Sequence, residues 1–484
     1  MFKKTKILAT LGPASDKIET IEAMVKAGVD AFRMNFSHGT HEYHEENLNK
    51  IHEIEKKLDR RIGIFQDISG PKIRVGKLKE QFKLKAEDRL IFVSEEIVGE
   101  KIDEKTYKLC INQPEILPLM KKGEYIYLYD GFIRAKVTNV SNEAVEAVLE
   151  NDGILTSNKG VNFPNTRINI DIITEKDLQD LRWGAEHGVN FVGISFVQSA
   201  NDILRVREIL KNLGSKAKIY AKIEKFDAVE NIDEIIQVSD GIMVARGDLG
   251  IEMPFYEIPR IQKKIIKLAN AHAKPVITAT QMMLSMTERE RATRAEISDV
   301  ANAVLDGTDA VMLSEESAIG HNPVAVVEAM SSTIIETEKV YHYNCFDDYD
   351  FYDETDMITS STARLAMRLQ AGAILSITGS GKSAIKLARN RTKIDIIAIA
   401  HDEQTAHSLT LAWGVIPALV VPKTRVNFLL AEIINQAYNK RLIESSGTYV
   451  MTAGFPTGVE GSTNYIRILK KTQIDYYRDA AIDI

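Results

Sequence analysis

Short apolar runs rich in β-branched residues alternate along the chain with stretches whose apolar positions recur every three or four residues. The runs are "TKILATLG" (5–12), "DAFRMNFS" (30–37), "IGIFQDIS" (62–69), "FVGISFV" (191–197), "KIYAKIE" (218–224), "GIMVARGD" (241 onwards), "PVITAT" (275–280) and "DAVMLS" (309–314). The stretch "SDKIETIEAMVKAG" (15–28) typifies the helical segments, with a serine as its expected cap and a glycine to close it. Eight strand–helix units of this kind predict an α/β fold built on a TIM (β/α)8 barrel of parallel strands.

Nearly every run starts apolar and turns polar at its C-terminal end. The polar residues are Arg33, Asn35 and Ser37; Asp67; Ser195; Lys222 and Glu224; Arg246 and Asp248; Thr280 and Gln281; and Ser314. Barrel enzymes assemble their sites at that end of the strands, so seven strands aim polar groups at one rim. Lys222 and Glu224 are the most telling pair. Strand alternation points both to one face. The bland explanation is an exposed face, or a lysine snorkelling from a half-buried position. Ile219, Tyr220, Ala221 and Ile223 leave no clean wet face, however, and helices cover the outside of parallel barrel strands. A functional site is the better account.

One gap is too long for a loop. Residues 71–167 read as short strands with turns, including "DRLIFV", "EYIYLYDG", "FIRAKVTNV" and "EAVEAVLEN". They predict an inserted small β-barrel domain on the catalytic rim, placed to act as a lid. After residue 343 an acidic, aromatic connection leads into "AGAILSITG", "DIIAIAHD", "ALVVP" and "GTYVMTAG", with helical segments between. These predict a doubly wound α/β domain. The expected division is barrel 1–70 and 168–343, inserted domain 71–167 and C-terminal domain 344–484.

Composition narrows the function classes. A chain of 484 residues with 44% hydrophobic content is globular and large enough for several cores. Its net charge of −7 argues against non-specific nucleic-acid binding, though a local pocket can still be basic. Two distant cysteines, Cys110 and Cys345, form neither a disulfide framework nor a zinc spacing and point to a reducing compartment. The basic opening lacks the apolar length of a signal peptide, and no run approaches the ~18 apolar residues of a membrane helix. A cytoplasmic protein without membrane partners is expected.

Four further signals bear on chemistry. Asp248 in "VARGDLG" has the ordinary alternative of a turn or cap aspartate. Beside Glu224 on the neighbouring strand it completes an oxygen site of the kind magnesium takes, one or two carboxylates with the rest left to substrate and water. His38, His41 and His44, three apart, have a spacing compatible with zinc, but spacing alone is a weak argument. "ITGSGKS" (377–383) fails as a Walker A motif because Ser376 stands where the first glycine belongs. It leaves a turn entering a helix, suited either to a phosphate or to ordinary strand-to-helix geometry. Methionines such as those in "ATQMM" read as core.

Together, "TKILATLGPAS", "FRMNFSHG", "FQDISGPKIRVG", "AKIEK", "VARGDLG", "PVITATQM" and "TRAEISDVANAVLDGTDAVMLS" resemble the pyruvate kinases, of the bacterial type. The likeness extends to "SNKGVNFP" in the insertion and "GSTNYIRI" near the C-terminus. It implies phosphoryl transfer from phosphoenolpyruvate to ADP, giving pyruvate and ATP, by a homotetramer with a regulatory C-terminal domain. By this resemblance Glu224 and Asp248 hold Mg2+, for which Mn2+ can substitute. Lys222 stabilises phosphoryl and enolate charge, and Arg33 clamps the phosphate. The Gly247 backbone, with Asp248 and Thr280, meets the substrate; Thr280 and Ser314 lie on the path that protonates the enolate carbon. Asn35, His38, Arg74 and Lys159 are the implied nucleotide contacts. Asn35, Ser37, Asp67 and the carbonyl of Ile68 match a potassium site. Thr378, Ser380, Gly381, Lys382 and Ser383 match a turn that would take a phosphorylated effector.

Three departures from the family pattern matter. Lys72 stands where potassium-dependent members have Glu, and a tethered ammonium can replace a monovalent cation's charge, so potassium independence is expected. Ala292 replaces a proline. "SEES" (314–317) replaces "SGET", so Glu315 would be strained if that position has φ > 0. Two rival functions remain at this stage. A lyase of the aldolase type would not need "SHG", "GPKIR" or the lid. A catalytically dead sensor would be expected to have lost Lys222, Glu224 or Asp248.

Overall fold

The computed structural model describes residues 3–141, 143–168, 171–344, 349–350, 353–422, 426–455 and 463–480. Cys345, part of the acidic connection around it, and Gly461 and Ser462 of the C-terminal motif lie outside the described residues.

Lys6–Thr10, Ala31–Asn35, Gly63–Asp67, Phe191–Ile194, Lys218–Ile223, Gly241–Ala245, Val276–Ala279 and Ala310–Leu313 close into a parallel barrel in chain order. Their inward positions follow the strand period of two. Leu8, Ala31, Phe65, Tyr220, Met243 and Ala310 fill one apolar layer. Two residues on, Thr10, Arg33, Asp67 and Lys222 line the cavity above it. The core therefore gives way to chemistry within one strand repeat.

The helices pack an apolar stripe outside the barrel. The first runs Ile18–Ala27 and closes at Gly28 (φ 127) as expected, but its cap residue is Lys17. Ser15 closes a preceding turn instead, its Oγ accepting from the Gly12 N–H at 3.2 Å.

The insertion is a seven-stranded sheet with a further strand pair, Phe82–Leu84 against Gly153–Leu155. Buried residues from Ile73 to Ile168 give it a core of its own. Among its contacts with the barrel, Asn162 donates to Glu252 at 3.0 Å and Arg167 pairs with Glu230 at 2.6 Å.

The C-terminal sheet orders Val415–Val420, Ile396–Ala400, Ile374–Thr378, Tyr449–Gly454 and Thr463–Leu469, the last strand antiparallel. This domain plugs the bottom of the barrel. Leu411 joins the interior apolar layer, and Arg391 pairs with Asp309 at 3.0 Å while lying 5.0 Å over the Trp413 ring. A Cβ on Gly63 would meet Thr410 Oγ1 at 2.2 Å, so the close approach depends on that glycine. No helix among the described residues is long and apolar enough to cross a membrane.

Candidate active site

The strand Lys218–Ile223 explains its own charges. Tyr220, Lys222 and Glu224 share a face; the first is core, and the next two rise toward the rim. Lys222 Nζ lies 2.8 Å from Glu224 Oε1 and 3.1 Å from Asp67 Oδ1, and donates to Ser195 Oγ at 2.7 Å. The Ser195 hydroxyl donates in turn to the Ile68 carbonyl at 2.9 Å. Asp67 is shared with Arg33, whose Nε donates to Oδ2 at 2.6 Å. Arg33 Nη1 also reaches Thr10 Oγ1 at 3.1 Å. Five successive strands thereby fix one cation–anion network.

Its electrostatics follow from burial and pairing. Burial alone would depress the Lys222 ammonium, but Asp67 and Glu224 outweigh it and hold the group charged above the usual lysine range. Burial would likewise raise Asp67; Lys222 and Arg33 overcome it and keep the carboxyl below its ordinary value. Glu224 differs. Burial pushes it up to about 7 despite Lys222, and the nearby Asp248 adds like-charge repulsion. Glu224 and Asp248 are close enough to repel, and two carboxylates with open positions left for substrate and water are the oxygen set a divalent cation takes.

Asp248 sits in the first turn of the helix Arg246–Glu252 that follows the sixth barrel strand. Beside it the backbone is strained: Thr280 and Gln281 both adopt positive φ, 70° and 57°. A β-branched residue avoids that region. Here the turn is pinned. The Gly247 N–H donates to Thr280 Oγ1 at 2.7 Å, and Arg246 Nη2 donates to the Thr280 carbonyl at 2.8 Å. Arg246 also contacts the Ala279 carbonyl and anchors on Asp299 at 2.8 Å.

Arg33, Asn35, His38, Asp67, Lys72, Lys222, Asp248, Thr280, Ser314 and Glu315 line one cavity of about 430 Å³ at the C-terminal rim. Glu224 does not line this cavity but pairs with Lys222, which does, and its Oε2 accepts the Phe196 N–H at 2.8 Å. Most of the expected substrate and metal residues therefore converge. Asn35 and Asp67 are register partners, and Asn35 Oδ1 takes the Ser37 N–H at 3.1 Å. The expected nucleotide residues do not all meet. Arg74 is exposed and donates to the Asn158 carbonyl at 3.0 Å, and Lys159 lies 4.0 Å over the Tyr129 ring, both on the insertion. Glu315 begins a short helix and is not among the residues with positive φ, so the strain considered for it does not arise.

The three histidines do not form a zinc set. His41 binds Asp180 at 2.8 Å, His44 stacks on Phe36 at 4.1 Å, and His38 lines the cavity. Among the described residues no three His, Cys, Asp or Glu side chains converge as a ready metal cluster. At the C-terminal turn Gly381 (φ 86) enters the helix Lys382–Arg389, and its N–H donates to Thr378 Oγ1 at 3.0 Å. Ser383 Oγ bonds Thr463 at 2.6 Å, so three of the five effector candidates, Thr378, Gly381 and Ser383, have internal partners.

Sequence reasoning placed Ser195 and Arg246 at the rim without giving them a role. The signal for Ser195 was its strand-end position, but its bond to Lys222 crosses between strands. That for Arg246 was its neighbour Asp248.

Comparison with known proteins agrees with this fold. Residues 2–327 match the family model described as pyruvate kinase, barrel domain, and residues 356–469 the one described as pyruvate kinase, alpha/beta domain. The chain is 40% identical over 477 residues to a pyruvate kinase of Lactobacillus delbrueckii subsp. bulgaricus, covering 96% of this chain and 80% of that one. It is 39% identical over 476 residues to one from Staphylococcus aureus, with the same coverage. A crystal structure of a pyruvate kinase from Cryptosporidium parvum superposes with a TM-score of 0.90 at 31% identity, over 97% of this chain and 96% of that one.

Proposed function

The chain belongs to the pyruvate kinase family, and from that premise we propose how its rim performs the reaction. The enzyme transfers the phosphoryl group of phosphoenolpyruvate to ADP, giving pyruvate and ATP, the last step of glycolysis. A P–O bond to the enol oxygen breaks, one to the terminal ADP oxygen forms, and the enolate carbon gains a proton.

Lys222, held charged by Asp67 and Glu224, neutralises the phosphoryl oxygens and the enolate oxygen as charge develops. Arg33, oriented by Asp67 and Thr10, clamps the phosphate. The turn at Gly247 and Thr280, beside Asp248, receives the substrate carboxylate, and Thr280 with Ser314 forms the proton path to carbon. Glu224 and Asp248 suit Mg2+, or Mn2+ in its place, for the donor-set reason given above; when bound, the ion supplies Lewis-acid polarisation of the enol and phosphoryl oxygens. Asn35, His38, Arg74 and Lys159 meet the nucleotide. For Arg74 and Lys159 this requires the lid to close, which also excludes water that would otherwise accept the phosphate.

Lys72 lines the cavity with Arg33 and Asp67, which supports its standing in for potassium at the site of Asn35, Ser37, Asp67 and Ile68. The turn of Thr378, Ser380, Gly381, Lys382 and Ser383 is assigned to a phosphorylated effector, and the divisions at residues 70/71, 167/168 and 343/344 to three units of a cytoplasmic homotetramer.

The observation that carries these roles is the meeting of Arg33, Asp67, Lys222 and Asp248 at one cavity. Lys222→Met, folded by circular dichroism, is expected to lose most turnover in a coupled assay. Wild-type rates would refute the role of Lys222.

A further inference from the structure

The chain crosses between barrel and lid twice, leaving near Gly70 and entering the barrel again through residues 171–174. Both crossings are tied to the first turn of one helix, Glu175–Glu186. Asp177, fully buried, accepts the Gly70 N–H on Oδ1 at 3.1 Å. Its Oδ2 accepts both the Thr174 N–H at 2.9 Å and the Thr174 hydroxyl at 2.6 Å. There is little slack at the outgoing crossing, since a Cβ on Gly70 (φ 64) would meet the Phe196 ring at 2.8 Å.

The same helix holds the loop that carries His38. Lys176 Nζ donates to the Phe36 carbonyl at 2.6 Å and to Asp180 Oδ2 at 2.7 Å. Asp180 Oδ1 accepts His41 Nε2 at 2.8 Å. From the loop's own helix, His44 donates to the His38 carbonyl at 3.0 Å while stacking on Phe36. The Lys176 side chain is 55% exposed, and an i,i+4 pair with that exposure contributes little to stability. What sets it apart is its second bond, to a backbone carbonyl two residues before His38.

We propose that Lys176, Asp177 and Asp180 are positioning residues, a bracket that fixes the His38 loop relative to both lid crossings. Loop and lid then present their groups to the nucleotide in one register. This rests on the assignment of His38 to the nucleotide side of the reaction. Asp177 sets the crossings, Asp180 orients Lys176 and His41, and Lys176 holds the loop backbone. None of the three needs to touch substrate.

Steady-state kinetics of the full-length enzyme, with ADP and phosphoenolpyruvate varied in turn, test the bracket. Lys176→Met is expected to raise KM for ADP roughly tenfold, the scale of one charge-assisted hydrogen bond. KM for phosphoenolpyruvate should stay within about twofold, and Lys176→Arg, which keeps a donor, should restore the ADP value. Equal rises in both KM values, or an unchanged KM for ADP, would overturn the proposal. His38→Ala separates it from its premise. An unchanged KM for ADP in that variant removes the nucleotide role of His38, whereas a raised one beside a silent Lys176→Met leaves that role standing and removes the bracket.

Discussion

Arg246→Leu is the substitution with the most to reveal about how this rim is held. Thr280 and Gln281 both sit at positive φ, and each such non-glycine residue costs about 1–3 kcal/mol. Arg246 opposes that strain with charged hydrogen bonds to the Thr280 carbonyl at 2.8 Å and the Ala279 carbonyl at 3.3 Å. Hydrogen bonds to a charged group are worth about 1.5–3 kcal/mol each, so the hold and the strain are of similar size. Removing the guanidinium leaves the turn free to relax and carries Thr280 Oγ1 away from the Gly247 N–H. A displacement near 1 Å at a reacting centre costs on the order of 10²-fold in rate. The expectation is therefore a kcat lower by about 10²-fold, with a smaller change in KM, in a coupled assay on protein whose circular dichroism is unchanged. Arg246→Lys, which keeps the charge but not the fork that spans both carbonyls, should fall between. A kcat within about threefold of wild type in Arg246→Leu would refute the reasoning.

Two other outcomes follow from particular contacts. The wild-type enzyme should be indifferent to potassium when compared with tetramethylammonium at equal ionic strength, and Lys72→Glu should make it potassium-activated; strong activation of the wild type would reject the role given to Lys72. His407 ties the C-terminal domain to the barrel through Glu55 at 2.7 Å. Burial and Arg61 depress its imidazolium, but Glu55, helped by the Glu403 carbonyl, outweighs them and raises its pKa. A raised folded value means stabilisation that is complete below the unfolded histidine value of about 6.5 and lost as pH rises through the higher folded one. The Tm deficit of His407→Gln should therefore be largest near pH 6 and shrink toward pH 8.5 in thermal denaturation; a deficit that grows with pH would contradict it.

The barrel was legible because its strands carry their own period. Tyr220, Lys222 and Glu224 announce both an inward face and the depth at which core becomes site. The eight runs named from the sequence are the eight barrel strands. Short lid strands such as Phe82–Leu84 and Val161–Asn162 escaped, being too brief to show alternation. Thr463–Leu469 escaped as a strand because its edge position leaves Asn464 and Arg467 in an otherwise apolar run. Ser15 was misjudged because a serine before a helical period can serve a turn as well as a cap, and here the Gly12 turn takes it. Within the site, residue identities were readable but their bonds were not. Ser195 meets Lys222, and Arg246 meets Thr280, only across neighbouring strands and around a backbone conformation that no side-chain pattern encodes.

The assignment of Glu224 and Asp248 to a shared divalent ion is tested most directly by titrating Mn2+ into the full-length enzyme and following its free signal by electron paramagnetic resonance. Binding to the wild type, weakened at least about tenfold in both Glu224→Gln and Asp248→Asn with the fold intact, is the predicted result. An affinity left unchanged in both variants would contradict it.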